Sequence, residues 1–277
     1  MIELKNIKKK VNKFFKSVIQ MMRKPVMSIL PGQLSFFLLL SLIPMILLIG
    51  LISASFSISI DNLIEFIKIS LPADTSKLII PLLAGKGLDY NVIILVVSAL
   101  MLVSKGTKSI IVAASNIYKV EEVDIVKDTI KAIFIAIILV LLVFFIIVIP
   151  VFGSKILLFI QEFTNITFIT DRVIDIYNIA KWPLTIFIIF INLKLIYTIA
   201  PNKQINSSTV NKGSLFTTIL WTIMTFLYSF YMTNIASYNI FYGSASSLII
   251  LMLWIYLISY IFVLGMSINA SDDKFES

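Results

Sequence analysis

Six apolar blocks recur along the chain, separated by short polar runs. A helix needs about 20 largely apolar residues to cross a hydrocarbon core of ~30 Å. By that measure spans are predicted at about 33–56, 91–110, 132–152, 182–200, 214–233 and 243–269. The first is entered through Pro31 and Gly32, and the third has no charge between Ala132 and Phe152. Six crossings return both termini to one side. The pattern predicts an all-α membrane protein of six transmembrane helices. Its parts are a basic segment 1–32, a membrane domain 33–270 and a short tail 271–277.

The second block breaks the pattern, because Lys105 and Lys108 flank Gly106 inside a long apolar run. From 92 to 103 the apolar stretch gives only about 18 Å of helix. On one reading the lysines mark the inner end of the span and stretch to the interface, their stems in lipid and their ammonium groups in water. Gly106 then permits a bend, and the following residues lie near the membrane surface. On the other reading the helix runs straight to Tyr118, and Lys105 faces a polar cavity with Ser98, Ser109 and Asn116. Positions 98, 102, 105, 109, 112 and 116 do keep one helical face. Ser104, Lys105, Gly106, Lys108 and Asn116 are therefore candidate path residues for an anionic group.

Polar positions in other spans extend the candidate set. The fifth span carries Ser214, Thr218, Thr222, Thr225 and Ser229 as one stripe. Small hydroxyl residues serve close helix packing in membranes, and they also line watered cavities. Ser41 and Pro44 share a face of the first span, where proline frees a carbonyl and bends the helix. Asn192, midway along the fourth, needs a hydrogen-bond partner in lipid. The sixth span repeats the polar stripe with Tyr256, Ser259, Tyr260 and Ser267.

Composition makes the membrane assignment compelling. Hydrophobic residues form 59% of the chain and charged residues 14%, with mean hydropathy +1.01; soluble domains carry roughly 45–50% and about 25%. Lysines and arginines give the orientation. With the N-terminus inside, the inner segments hold eight, five, three and one of them, 17 of the 23, against six outside. The positive-inside rule then places both termini in the cytoplasm. Residues 1–32 carry eight of these cations against Glu3. Ile7, Val11, Phe14, Val18 and Met21 form one apolar stripe there, so the segment reads as an amphipathic helix on anionic headgroups rather than a nucleic-acid binder. No cleavable signal is expected. Between the first two spans, Leu63, Phe66, Ile67 and Leu71 suggest a short helix resting on the outer surface, and 153–181 has a similar character. The partners expected are the bilayer and its anionic headgroups, and the pattern leaves room for a homo-oligomer.

Chemistry is limited by what is missing. The chain has no cysteine and no histidine, so thiolate chemistry and the commonest general base and metal ligand are unavailable. The one acidic cluster, Glu121, Glu122, Asp124 and Asp128, sits on a short charged elbow. No metal, no cofactor and no enzymatic activity are expected. No span holds an Asp or Glu, which argues against a carrier coupled through a membrane carboxylate.

Several motifs in order resemble the YihY/BrkB membrane family, once labelled ribonuclease BN-like. "QLSFFLLLSLIP" resembles its first-span run ending in Ser-Leu-x-Pro, at Ser41, Leu42 and Pro44. "SKGTKSIIVAASNIYKVEE" resembles its Ser-x-Gly stretch, with Ser104, Gly106, Asn116, Tyr118 and Glu121 matching. Tyr197, Pro201 and Asn202 match a Tyr-x-x-x-Pro-Asn segment, and Gly213 and Trp221 the opening of the fifth span. Tyr242, Gly243, Trp254, Tyr256, Gly265, Asn269 and Ala270 match the last. The resemblance spans about 33–270 and implies the same fold, with transport or envelope roles suggested. It also marks a departure, since this chain reads Gly265-Met266-Ser267 where relatives usually carry Gly-Ala-Glu. A transporter-like role is the leading expectation, moving or flipping an anionic or amphiphilic, lipid-related solute. A non-transport assembly or envelope-integrity factor is the alternative.

Overall fold

The computed structural model describes residues 18–55, 64, 80, 90–120, 124–164, 171–234 and 246–276. Among them the ordered structure is helical, without strands. Six long helices follow one another: α1 Pro25–Ser55, α2 Tyr90–Tyr118, α3 Ile125–Thr164, α4 Asp171–Ile199, α5 Asn211–Asn234 and α6 Ser246–Glu276. A helical turn at 18–22 precedes α1. Each predicted span overlaps one helix, with residues 56 and 243–245 outside the described residues and Ala200 just past α4, and most helices are longer than the spans. α1 starts at Pro25, a residue suited to a first turn because its missing N–H has no partner there anyway, and runs on through Pro31 and Gly32. α2 is continuous through Gly106, so no bend separates 91–110 from the residues up to Tyr118. Much of 153–181 belongs to the end of α3 and the start of α4 rather than to a separate surface segment.

Four described stretches are long and apolar enough to cross a membrane: Val97–Tyr118, Ile125–Ile146, Val173–Ile199 and Ile249–Ser271. Met27–Ser41 is a shorter apolar helix. Residues 1–17, the helix expected around 63–71, and Glu121 and Glu122 lie outside the described residues. Val18 and Met21, expected on the membrane surface, are buried in the protein core instead.

The helices touch in a ring in chain order, α1 to α2 and so on round to α6, which closes against α1. The α4–α5 seam is the sparsest of the six contacts among the described residues. Hydrogen bonds fix the direction of each helix. Lys131 near the start of α3 reaches Asn202 just beyond α4, and Gly213 in α5 meets Asn269 near the end of α6. Ser267 Oγ lies 4.0 Å from Met27 Sδ of α1. The α1, α3 and α5 starts thus share one end of the ring with the α2, α4 and α6 ends. Neighbouring helices therefore alternate in direction.

The α2–α3 elbow is built by two caps. Val120 N–H donates to Ser115 O at 2.9 Å and Lys119 N–H to Asn116 O at 3.4 Å, the bond pattern that closes a helix with a left-handed residue. That residue is Lys119, with φ 57°. Asp124 then caps α3: its Oδ1 accepts from the Val126 and Lys127 amides, each at 3.1 Å.

Candidate functional site at the closed end of the ring

At the end where Lys131 meets Asn202, α4, α5 and α6 cross without space between them. A Cβ on Gly265 would lie 1.9 Å from Thr217 Oγ1 and 2.7 Å from Tyr197 Oη. One on Gly213 would lie 2.2 Å from Gly265 O. Only glycine at both positions lets the backbones come this close. The Tyr197 hydroxyl, fully buried, donates to Phe262 O and pairs with Thr217 Oγ1, both at 2.8 Å. Gly213 N–H donates to Asn269 Oδ1 at 2.7 Å. Asn269 is fully buried, and its Nδ2 has no partner among the described residues. This polar knot latches α4 to α5 and α6.

Beyond the latch the seam loses its cover. On one face of α4, Tyr197 and Leu193 are 0% exposed, Ile186 is 40% and Ile179 is 76%. On the hydroxyl stripe of α5, Ser214 and Thr218 are buried, whereas Thr222 and Thr225 are exposed. A single helix face that goes from covered to uncovered means the neighbour has departed. Each helix keeps its other partner: Tyr177 of α4 still donates to Ile149 O of α3. In α5, Trp221 Nε1 and Tyr228 Oη still donate to the α6 carbonyls of Ile258 and Ile250 at 2.9 and 2.6 Å. Beyond the latch, the described hydrogen bonds thus join α4 to α3 and α5 to α6.

The closed end also carries a cleft of about 730 Å³, lined by the first two turns of α3 and the loop after α4. Lys131 Nζ donates to Asn202 Oδ1 at 2.6 Å and to Pro201 O at 3.1 Å. Asn202 Nδ2 donates to Asp128 Oδ1 at 2.8 Å, and Asp128 is buried. Asp124 Oδ2 pairs with Lys127 Nζ at 3.1 Å. The Lys127 backbone amide, and then its ammonium, hold the Asp124 carboxyl below its ordinary pKa.

The sequence-predicted residues fall in several places. Ser41 and Gly106 meet at the α1–α2 crossing, where a Cβ on Gly106 would be 3.0 Å from Ser41 Cβ and from Phe37 O. Gly106 thus serves close helix approach. Ser104 is buried, with Oγ on Met101 O. Lys105 and Asn116 are exposed, Lys108 is half-buried, and neither lysine lines the cleft. The face 98–116 is mostly an outer face, since Leu102 and Val112 are exposed with Lys105, and only Ser109 is buried. Asn192 satisfies itself through Ile188 O. Thr218 and Thr222 close on Ser214 O and Thr218 O, and Thr225 and Tyr256 are exposed. Pro44 lies within α1, its side chain outside the described residues. Lys131 went unsingled in the sequence as an ordinary elbow charge, and Asp128 counted only as part of the acidic cluster; the Tyr197-to-Asn202 motif was the signal that reached their partner.

No solved structure matches the chain. Over 243 residues it is 29% identical to the ribonuclease-like protein YfkH of Bacillus subtilis (strain 168), covering 86% of this chain and 87% of that one. A UPF0761 membrane protein of Idiomarina loihiensis is 27% identical over 109 residues, 39% of this chain and 38% of its own. One from Vibrio atlanticus is 34% identical over 94 residues, 34% of this chain and 29% of its own. A family model matches residues 18–275, which take in the whole ring, and the chain belongs to the family it describes, Virulence factor BrkB.

Proposed function

We propose that the chain crosses a bacterial cytoplasmic membrane six times with both termini inside, and that it moves or flips an anionic amphiphile. The carrying observation is the α4–α5 seam, latched at Tyr197 and uncovered beyond it. A solute path needs one closed end and a surface left open beyond it, and the latch together with the exposed faces of α4 and α5 supports this reading. The alternating helix directions support six crossings, and the lysine distribution supports a cytoplasmic closed end. Thr222, Thr225 and the exposed apolar face of α4 then meet a molecule that is polar at one end and greasy at the other. RNA hydrolysis forms no part of the reading: the chain lacks histidine, and Asp124 and Asp128 are committed to capping α3 and to Asn202.

The test is reconstitution in liposomes holding a headgroup-labelled phosphatidylglycerol, with quencher access measured from outside. Movement above empty vesicles, slowed by Thr222→Ala with Thr225→Ala at unchanged thermal stability, is the expected result. Flux equal to empty vesicles ends the reading. The alternative, a non-transport assembly or envelope factor, draws on a separate observation: Ser214, Thr218 and Thr222 bond to carbonyls of their own helix and require no solute. Under it, the double alanine variant loosens the fold and no flux is seen.

A further inference from the structure

Burying a charge is costly unless an opposite charge meets it. Lys131 is half-buried, and its two described acceptors are neutral oxygens, a backbone carbonyl and an amide. The nearby Asp128 carboxylate takes its hydrogen bond from the other side of the same amide, so Asn202 stands between ammonium and carboxylate. Asp124 is occupied with Lys127 and the α3 cap. The Lys131 ammonium is thus aimed, partly dehydrated and, among the described residues, without a carboxylate in contact. A third N–H remains for a ligand, since an ammonium carries three.

We infer that the cleft at the start of α3 is a binding site for a phosphate-type oxyanion, anchored by Lys131 and rimmed by Lys127. The described lining brings Lys127, Lys131 and Lys203 together with Asp124 and Asp128. A volume of about 730 Å³ holds far more than an ion, so a headgroup with its glycerol fits. Lysine supplies a point charge suited to a phosphate, whereas planar two-point recognition is arginine's habit. The charge-free run of α3 begins at Ala132, directly after Lys131, which sets the cleft at the level where lipid phosphates lie. The inference rests on the membrane reading but not on transport: a protein that moves nothing still binds the anion here.

The experiment measures thermal unfolding of the detergent-purified full chain against three probes: dihexanoyl-phosphatidylglycerol, dihexanoyl-phosphatidylcholine and inorganic phosphate, at matched ionic strength. Stabilisation by phosphatidylglycerol but not phosphatidylcholine identifies a lipid headgroup. Stabilisation by inorganic phosphate at similar concentration identifies a soluble anion. Lys131→Gln weakens the apparent affinity about tenfold or more, the scale of one charge-assisted hydrogen bond, and Lys131→Arg retains most of it. Lys127→Gln, at an exposed rim position, weakens it about two- to threefold and serves if Lys131→Gln does not fold. Equal response to both lipids with none to phosphate, or an unchanged response in these variants, overturns the site and leaves Lys131 a brace for the loop after α4.

Discussion

The two halves of the ring are made of similar residues and are held in opposite ways. At the latched end, glycines bring backbones together and one tyrosine hydroxyl joins three helices. Toward the other end, α4 and α5 keep their own partners, and bulky side chains such as Ile179 and Phe226 stand uncovered. Lipid is as apolar as these side chains, so in a membrane nothing drives them together. Close approach and buried hydrogen bonds decide where helices stay joined. The latched end has both.

The sharpest way to break this comparison is to add one methyl group. Gly265→Ala forces a Cβ to 1.9 Å from Thr217 Oγ1 and is expected to cost about 3 kcal/mol or abolish folding. Gly32→Ala, with nothing within 4 Å of the added carbon, should be neutral or stabilising by up to about 1 kcal/mol. Unfolding in mixed micelles ranks the two, and equal stability would remove the close crossing. Next in size is Tyr197→Phe, which leaves Phe262 O and Thr217 without their buried partner and should cost about 1–3 kcal/mol. Tyr228→Phe, deleting a part-buried bond to Ile250 O in the open half, should cost about 1 kcal/mol or less. A reversal of that order would place the stronger clasp at the wrong end.

The chain has no cysteine, so single nitroxide labels can sample the seam directly. A label at Thr218 should be immobilised and those at Thr222 and Thr225 mobile, with the same break between Leu193 and Ile186 on α4. Uniform immobility along the stripe would mean a closed seam. The smallest expected effect lies outside the seam, at Lys119. Its left-handed backbone favours glycine, and Lys119→Gly should raise stability by about 1 kcal/mol in the same unfolding assay. No gain would show that the lysine side chain compensates for the strain.

Much of the helical order was legible from the sequence, because an apolar block of membrane length has few other ways to satisfy its backbone. Helix ends were less so. Pro31 and Gly32 read as an entrance, yet α1 passes through them, since a proline early in a helix loses little. The motif residues Tyr197, Gly213, Gly265 and Asn269 were visible as separate signals, and only the fold brings them to one knot. Gly106 illustrates the same limit: its low helix propensity suggested a bend, whereas the crossing with Ser41 gives it a packing role. Lys105 stood out because a charge in an apolar run is conspicuous in one dimension. Lys131 did not, being one cation among several on an elbow.

Hydropathy and charge, which accumulate residue by residue, were enough to determine a helical membrane chain, and short ordered motifs carried the family resemblance. Which residues form a site depends on pairs far apart in the chain, such as Lys131 with Asn202 and Gly213 with Asn269. Those pairings follow from the ring order and from the few points where backbones can nearly touch, and only the tertiary structure decides them.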